Sequence, residues 1–233
     1  MKANRVVVSS LGALVVLAFL AVGLPAHAQD DAGGLAPLVI ELPKPMFIGT
    51  PKTLRTPNLE RQTGKPRGKF LAPSDAVIIS TGRPVTGSDS DPIIGDMELL
   101  TDGDKEGADG SFVEYGPGTQ WVQIDLGEPR EIYAIVLWHY HSQARIYFDV
   151  VVQGAQDPDF VSGVEMLFNN DHDNSSGLGV GKDKEYIEVS EGKLIDTKGS
   201  NPLQFLRLSS NGSTSSDLNH YIEVEVWGKP LGD

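Results

Sequence analysis

From residue 76 onward, short apolar runs alternate with turn signals. Val77-Ile78-Ile79 is the first run. Trp121-Val122-Gln123-Ile124-Asp125-Leu126 alternates and is expected to stop at Gly127, before Glu128-Pro129. Residues 132–138 are almost continuously apolar, which predicts a strand covered on both faces. Residues 147–152 predict a further strand, followed by a turn at Gln156-Asp157-Pro158-Asp159. Phe205-Leu206-Arg207-Leu208 leads into the turn-rich segment 209–219. Residues 221–227 alternate strictly as far as Gly228, which puts Ile222, Val224 and Val226 on one face and Glu223 and Glu225 on the other. There is no amphipathic helical pattern and no internal repeat. Six or more short strands with turns between them predict an all-β sandwich or barrel over residues 76–229, followed by a four-residue tail, 230–233. A domain of about 150 residues buries about 70% of its unfolded surface, enough for one stable core.

The pattern is different upstream. Residues 29–75 carry seven prolines between Pro37 and Pro73 and show no sustained periodicity. Proline fixes φ and drives its predecessor towards extended backbone. The segment therefore predicts an extended Pro-rich N-terminal arm, and Leu38-Val39-Ile40 and Met46-Phe47-Ile48 could pin it to a neighbouring surface. An arm wrapped on its own domain and a disordered spacer both remain open. Residues 1–28 read as a signal peptide. Lys2 and Arg5 supply the positive end, residues 11–24 the apolar stretch, and Ala26-His27-Ala28 the small-x-small cleavage pattern. Fourteen residues fall short of the about 20 needed to span a bilayer, so no transmembrane anchor is expected. The expectation is a secreted or periplasmic protein.

Charge sharpens this division. Residues 29–75 hold seven basic and five acidic side chains, a net of +2, whereas residues 76–233 hold 10 basic and 27 acidic, a net of −17. Such acidity argues against nucleic acid as a partner, because phosphate contacts need clustered Lys and Arg. It leaves divalent cations open. The chain has no cysteine, which removes disulfides, thiolate metal sites and cysteine nucleophiles. An exported domain of this kind takes its rigidity from core size or from a bound ion.

The order of landmarks carries a resemblance. Gly82-Arg83-Pro84-Val85-Thr86 is followed by Thr101-Asp102-Gly103-Asp104, then Trp121-Val122-Gln123-Ile124-Asp125-Leu126-Gly127, then Phe205-Leu206-Arg207-Leu208, and finally Tyr221-Ile222-Glu223-Val224-Glu225-Val226-Trp227-Gly228. Over residues 76–229 the chain resembles a discoidin domain, the coagulation factor V/VIII type C domain, and is similar to family 32 carbohydrate-binding modules. The resemblance implies a galactose-binding-domain-like jelly-roll β-sandwich. The chain departs from the family pattern at Gln204-Phe205, where Arg-Tyr is usual, at Asp157-Pro158-Asp159-Phe160, which replaces an Asp-Gly turn, and in the polar insert at 168–181.

Four constellations could carry chemistry. In Asp102-Gly103-Asp104-Lys105-Glu106-Gly107, carboxylates at alternate positions with glycines between them can present hard oxygens to Ca²⁺, although a solvated acidic turn has the same composition. The resemblance implies a structural calcium held by the side chains of Asp102, Asp104 and Glu223 and the carbonyls of Leu99 and Gly107; the family often has Thr where Gly107 stands. The second constellation is Trp138-His139-Tyr140-His141 with Arg145. At strand spacing His139 and His141 share a face, which suits a transition metal, sugar recognition or plain packing. The third, Asn169-Asn170-Asp171-His172-Asp173-Asn174-Ser175-Ser176-Gly177, is either an elaborate turn or a polar or cation-binding loop. In the fourth, residues 209–220, Asn219 and His220 could reach a ligand.

Nucleophile-elbow, zinc-protease and phosphate-loop motifs are all missing, and no catalytic residues are assigned. The expected function is an exported non-catalytic module with one structural Ca²⁺, binding a glycan through Trp138, His139, His141, Arg145, Asn219 and His220. The alternatives are an adhesion or scaffold protein that binds a cell-surface or matrix partner, and a glycan-active hydrolase.

Overall fold

The computed structural model describes residues 34–47 and 54–230. The segment expected to be a signal peptide, Ile48 and residues 231–233 lie outside them. Among the described residues, apart from one 3-10 turn at Met97–Thr101, the regular structure consists entirely of strands, and no helix is long and apolar enough to cross a membrane.

Two antiparallel sheets form a β-sandwich. The five-stranded sheet has the order β4 (Val85–Gly87), β6 (Gln120–Arg130), β11 (Leu203–Ser210), β8 (Val151–Ala155), β9 (Glu165–Asn169). The four-stranded sheet has the order β10 (Lys193–Asp196), β7 (Ile132–Trp138), β13 (Glu223–Gly228), β3 (Val77–Ile78). Two ribbons complete the structure, β1 (Leu35–Pro37) with β2 (Leu71–Pro73), and β5 (Val113–Tyr115) with β12 (Asn219–Tyr221).

The inner faces of the two sheets meet in one core that includes Val122, Ile124 and Leu126 of β6, Ile135 and Leu137 of β7, Leu206 and Leu208 of β11, and Val224 and Val226 of β13. Each of these buried aliphatic side chains contributes about 1.5–3 kcal/mol of hydrophobic stabilisation. A second apolar cluster lies on the outer face of the four-stranded sheet. It is made of Ala134, Val136, Trp138 and Trp227 with Phe112 and Ile222, and Leu38, Ile40 and Phe70 pack against it. β7 is therefore buried on both sides, which is why its sequence is apolar without alternation.

Residues 34–47 and 54–75 supply the outer cover. Leu38 and Ile40 face the second cluster while Val39 between them is 79% exposed. Further along, Leu59 bridges Glu185 in parallel, the Glu60 N–H donates to Glu185 O, and the Glu185 N–H donates to Asn58 O. Arg67 donates its backbone N–H to Glu191 Oε2 at 2.9 Å and its guanidinium to the carbonyls of Glu191 and Gly192 at 3.0 Å. Lys193 pairs with Glu60 at 3.0 Å.

Three strand boundaries differ from the pattern in the sequence. β6 does not stop at Gly127 but runs on to Arg130. Gly127 takes a φ of +87°, Asp125 Oδ1 accepts its N–H at 2.8 Å, and the register against β11 jumps between Leu203 and Phe205; a bulge absorbs the glycine. The strand expected at 147–152 begins only at Val151, because Asp149 sits in the left-handed region at φ +50°. The expected run 221–227 breaks at Ile222, where pairing passes from β5 to β7. Ile222 therefore joins the outer cluster with Trp138, and does not share the face of Val224 and Val226.

Candidate functional site

β5 and β12 place Glu114 directly opposite His220. His220 Nε2 lies 3.0 Å from Glu114 Oε2, and His220 Nδ1 lies 3.1 Å from the Tyr147 hydroxyl. Arg145, in the segment after β7, stacks its guanidinium 4.8 Å from the centre of the Tyr140 ring. Tyr140 in turn meets Phe112 edge-on at 5.0 Å and His220 at 5.7 Å. A cation, a carboxylate, an imidazole and two aromatic rings thus form one group. Arg145, His220 and Phe112 are nearly buried, whereas Glu114 and Tyr140 are only partly buried and carry the group to solvent.

The electrostatics follow from this burial. Burial, and then the charge of Arg145, hold the His220 imidazole down to about 4. Burial raises the Glu114 carboxyl while Arg145 pulls it back. At neutral pH His220 is uncharged.

Of the ligand residues expected from the sequence, the structure brings together Arg145 and His220. The other four are fully buried. Trp138 is fully buried in the outer cluster and donates Nε1–H to Ser190 O at 3.0 Å. His139 is fully buried, stacked on Tyr147 at 4.2 Å, with Nδ1 3.3 Å from Glu188 Oε2. Asn219 spends its amide on internal bonds, accepting from Ser210 and Gly212 and donating to the carbonyls of Gly116 and Gly118. His141, also buried, has Nε2 2.7 Å from Lys105 O. β7 ends at Trp138, so strand alternation does not extend to His139 and His141, and the two imidazoles find different partners. Glu114 and Tyr140 are the residues that sequence reasoning missed; the aromatic at 140 inside a His-Tyr-His run was the available signal.

Beneath His139, Glu188 is also fully buried. Burial pushes its carboxyl well above the usual carboxylate range and the His139 imidazole down to about 3. Both shifts favour the uncharged form of each partner.

The acidic loop lies beside this region. Asp102 Oδ1 accepts the Asp104 N–H at 2.7 Å, Asp104 Oδ1 accepts the Glu106 N–H at 2.9 Å, and Glu223 Oε2 accepts the Gly103 N–H at 3.0 Å. Burial, followed by the opposing Gly103 N–H and then the charges of Asp102 and Glu225, pushes the Glu223 carboxyl up to about 8. Gly107 has φ +62°, and a Cβ there would sit 2.5 Å from Ile222 Cδ1, so this position offers a carbonyl and no side-chain ligand. Leu99 belongs to the 3-10 turn that leads into the loop. Asp102, Asp104 and Glu223 offer hard oxygens of the kind Ca²⁺ takes, but among the described residues the acidic oxygens that converge within 4.8 Å are those of Asp149, Asp171 and Asp173. The loop also braces the segment after β7, through His141 on Lys105 O and through Ser142, which donates to Gly107 O at 3.4 Å.

A second acidic group, Asp149, Asp171 and Asp173, brings carboxylate oxygens within 4.8 Å of one another. Asp171 accepts from the backbone of Asp173, Ser175 and Ser176 and from the Ser176 hydroxyl. Asp149 accepts from Ser175 and Asn211. These bonds organise the polar insert.

No family model matches the chain, and no curated protein matches it. Among solved structures, the chain is similar to the CBM32 of AlyQ in complex with 4,5-unsaturated mannuronic acid, at 17% identity and a TM-score of 0.42, over 61% of this chain and 92% of that one. It is similar to CpGH89CBM32-4, produced by Clostridium perfringens, in complex with GlcNAc-alpha-1,4-galactose, at 15% identity and a TM-score of 0.44, over 67% of this chain and 96% of that one. It is also similar to a Family 89 Glycoside Hydrolase from Clostridium perfringens, at 20% identity and a TM-score of 0.47, where it covers 67% of this chain but only 15% of that one. The first two are named as family 32 modules, the family that the sequence landmarks resemble.

Proposed function

We propose that the chain is an exported, non-catalytic carbohydrate-binding module whose binding face is built by Tyr140, Arg145, Glu114 and His220. One observation carries this reading: the Arg145 guanidinium lies 4.8 Å from the centre of the Tyr140 ring, beside the Glu114–His220 pair, with Tyr140 and Glu114 partly exposed. A guanidinium donates, a carboxylate accepts, and an aromatic ring offers an apolar surface. These are the complementary requirements of a sugar, which presents hydroxyls along its edges and C–H groups on its faces. Residues 1–28, with their basic start and small-x-small cleavage pattern, support export.

Asp102, Asp104 and Glu223, with the carbonyls of Leu99 and Gly107, would hold the Ca²⁺. When bound, the ion supplies the positive charge that the buried Glu223 lacks and cross-links the loop to β13. The chain's own residues do the rest. His141 and Ser142 hang the Tyr140–Arg145 segment on that loop, and so keep the guanidinium in place over its ring.

The test is a glycan array probed with the wild type and with Arg145→Ala. Losing a charge-assisted hydrogen-bond donor is expected to weaken binding tenfold or more. Failure of the wild type to bind any glycan, together with capture of a protein that free sugar does not displace, would overturn the reading in favour of a protein-binding module.

A further inference from the structure

We infer that Tyr147, which touches no solvent, is a positioning residue for the binding face: its hydroxyl donates to His220 Nδ1, locks His220 as the Nε2–H tautomer, and so holds Glu114 in place as an acceptor for a ligand hydroxyl. The inference rests on the carbohydrate-binding reading for its consequence, but not for its chemistry.

The chemistry follows from the hydrogen-bond inventory of three side chains. A neutral imidazole carries one N–H, and an ionised carboxylate can only accept. His220 Nε2 faces Glu114 Oε2 at 3.0 Å, so with Glu114 ionised the proton sits on Nε2. His220 Nδ1 is then an acceptor, and the atom facing it at 3.1 Å is the Tyr147 oxygen, which must donate. Burial raises the Tyr147 phenol far above its ordinary value, so that the donor proton is always present. The imidazole has no freedom to invert this arrangement, because Phe112, Tyr140 and Tyr147 surround the ring at 5.7–6.1 Å.

Tyr147 is itself held from the far side. His139 stacks on its ring at 4.2 Å with an interplanar angle of 21°, and His139 is fixed by Glu188 at 3.3 Å and by the Tyr186 hydroxyl at 3.4 Å. A continuous buried chain therefore runs from Glu188 through His139, Tyr147 and His220 to Glu114 at the surface. This assigns a task to His139, which has no exposed surface of its own. It orients the residue that orients His220.

The test is the long-range ¹H–¹⁵N spectrum of the His220 ring in the wild type, in Tyr147→Phe and in Tyr115→Phe, with affinity measured on galactose, N-acetylglucosamine, mannose and glucuronate. In the wild type, Nε2 should be protonated and Nδ1 should show the shift of a hydrogen-bonded acceptor. Tyr147→Phe should move Nδ1 to the position of an unbonded imine nitrogen and weaken the sugar bound by the wild type about fivefold, the effect of one lost hydrogen bond. Tyr115→Phe removes an equally buried hydroxyl, one that donates to Met97 Sδ outside this chain, and should leave both readouts in place. An Nδ1–H tautomer in the wild type, or an Nδ1 shift that Tyr147→Phe leaves unchanged, overturns the inference. If the wild type binds none of the four sugars, the binding reading fails by itself, and the nitrogen spectra still decide the tautomer.

Discussion

Glu223 in the last strand accepts the backbone N–H of Gly103 at 3.0 Å. That contact joins positions 120 residues apart in a chain that has no cysteine to do so. It also sets a buried carboxyl next to Asp102 and Glu225, with Lys105 bonded to Glu225 at 2.5 Å as the neighbouring cation.

Calcium should therefore stabilise the domain measurably. At a free concentration one hundred times the dissociation constant the gain is about 2.7 kcal/mol, or about 5–10 °C in melting temperature for a domain of this size. Calorimetric melting with added Ca²⁺ and with EDTA reads the effect, and Glu223→Gln should abolish the difference. Identical melting curves in both conditions would remove calcium from the account.

The arm should count in stability as well as in topology. Leu38 and Ile40 cover the outer cluster that contains Trp138 and Trp227. Leu38→Asp with Ile40→Asp removes two apolar contacts and places charges against an apolar face, at a cost of about 2–5 kcal/mol. Tryptophan emission should shift to longer wavelength as the cover lifts. Unchanged unfolding midpoint and emission would show that the arm is dispensable.

Acid should weaken the fold partly through His220. Its folded pKa of about 4 lies below the unfolded value of about 6.5, so the unfolded chain takes up this proton first as pH falls. The stabilisation is complete above about pH 6.5 and is lost progressively down to about pH 4. His139, lowered to about 3, acts in the same direction. Glu188, raised by burial, acts in the opposite direction, since the folded chain keeps a proton that the unfolded chain releases. Urea unfolding at pH 7 and pH 4.5 isolates the first term: wild type should lose up to about 1.4 kcal/mol per pH unit more than His220→Gln. Equal losses in the two proteins would contradict the assignment.

β7 was legible from sequence because both of its faces are apolar, and β11 because its run ends in turn residues. Ile222 was misread because alternation records spacing and not the change of pairing partner that kinks the chain there. Arg145 and His220, both named from the sequence, lie in one cluster around Tyr140. Glu114 was not, because its significance comes from lying opposite His220 across two three-residue strands, a relationship that no local pattern carries. The same holds for burial: His139 and Asn219 have the chemistry of ligand contacts, and only the packing shows that Tyr147, Glu188, Ser210 and Gly116 already occupy them.

The most direct measurement of the central claim is a two-dimensional NMR titration of the isotope-labelled protein with the sugar that binds best. The account predicts that the largest shift changes fall on Tyr140, Glu114, Arg145 and His220, with the groove between residues 60–68 and 186–194 left unaffected. Changes concentrated in that groove, or on the outer face of the five-stranded sheet around Trp121 and Arg207, would place the ligand elsewhere and contradict it.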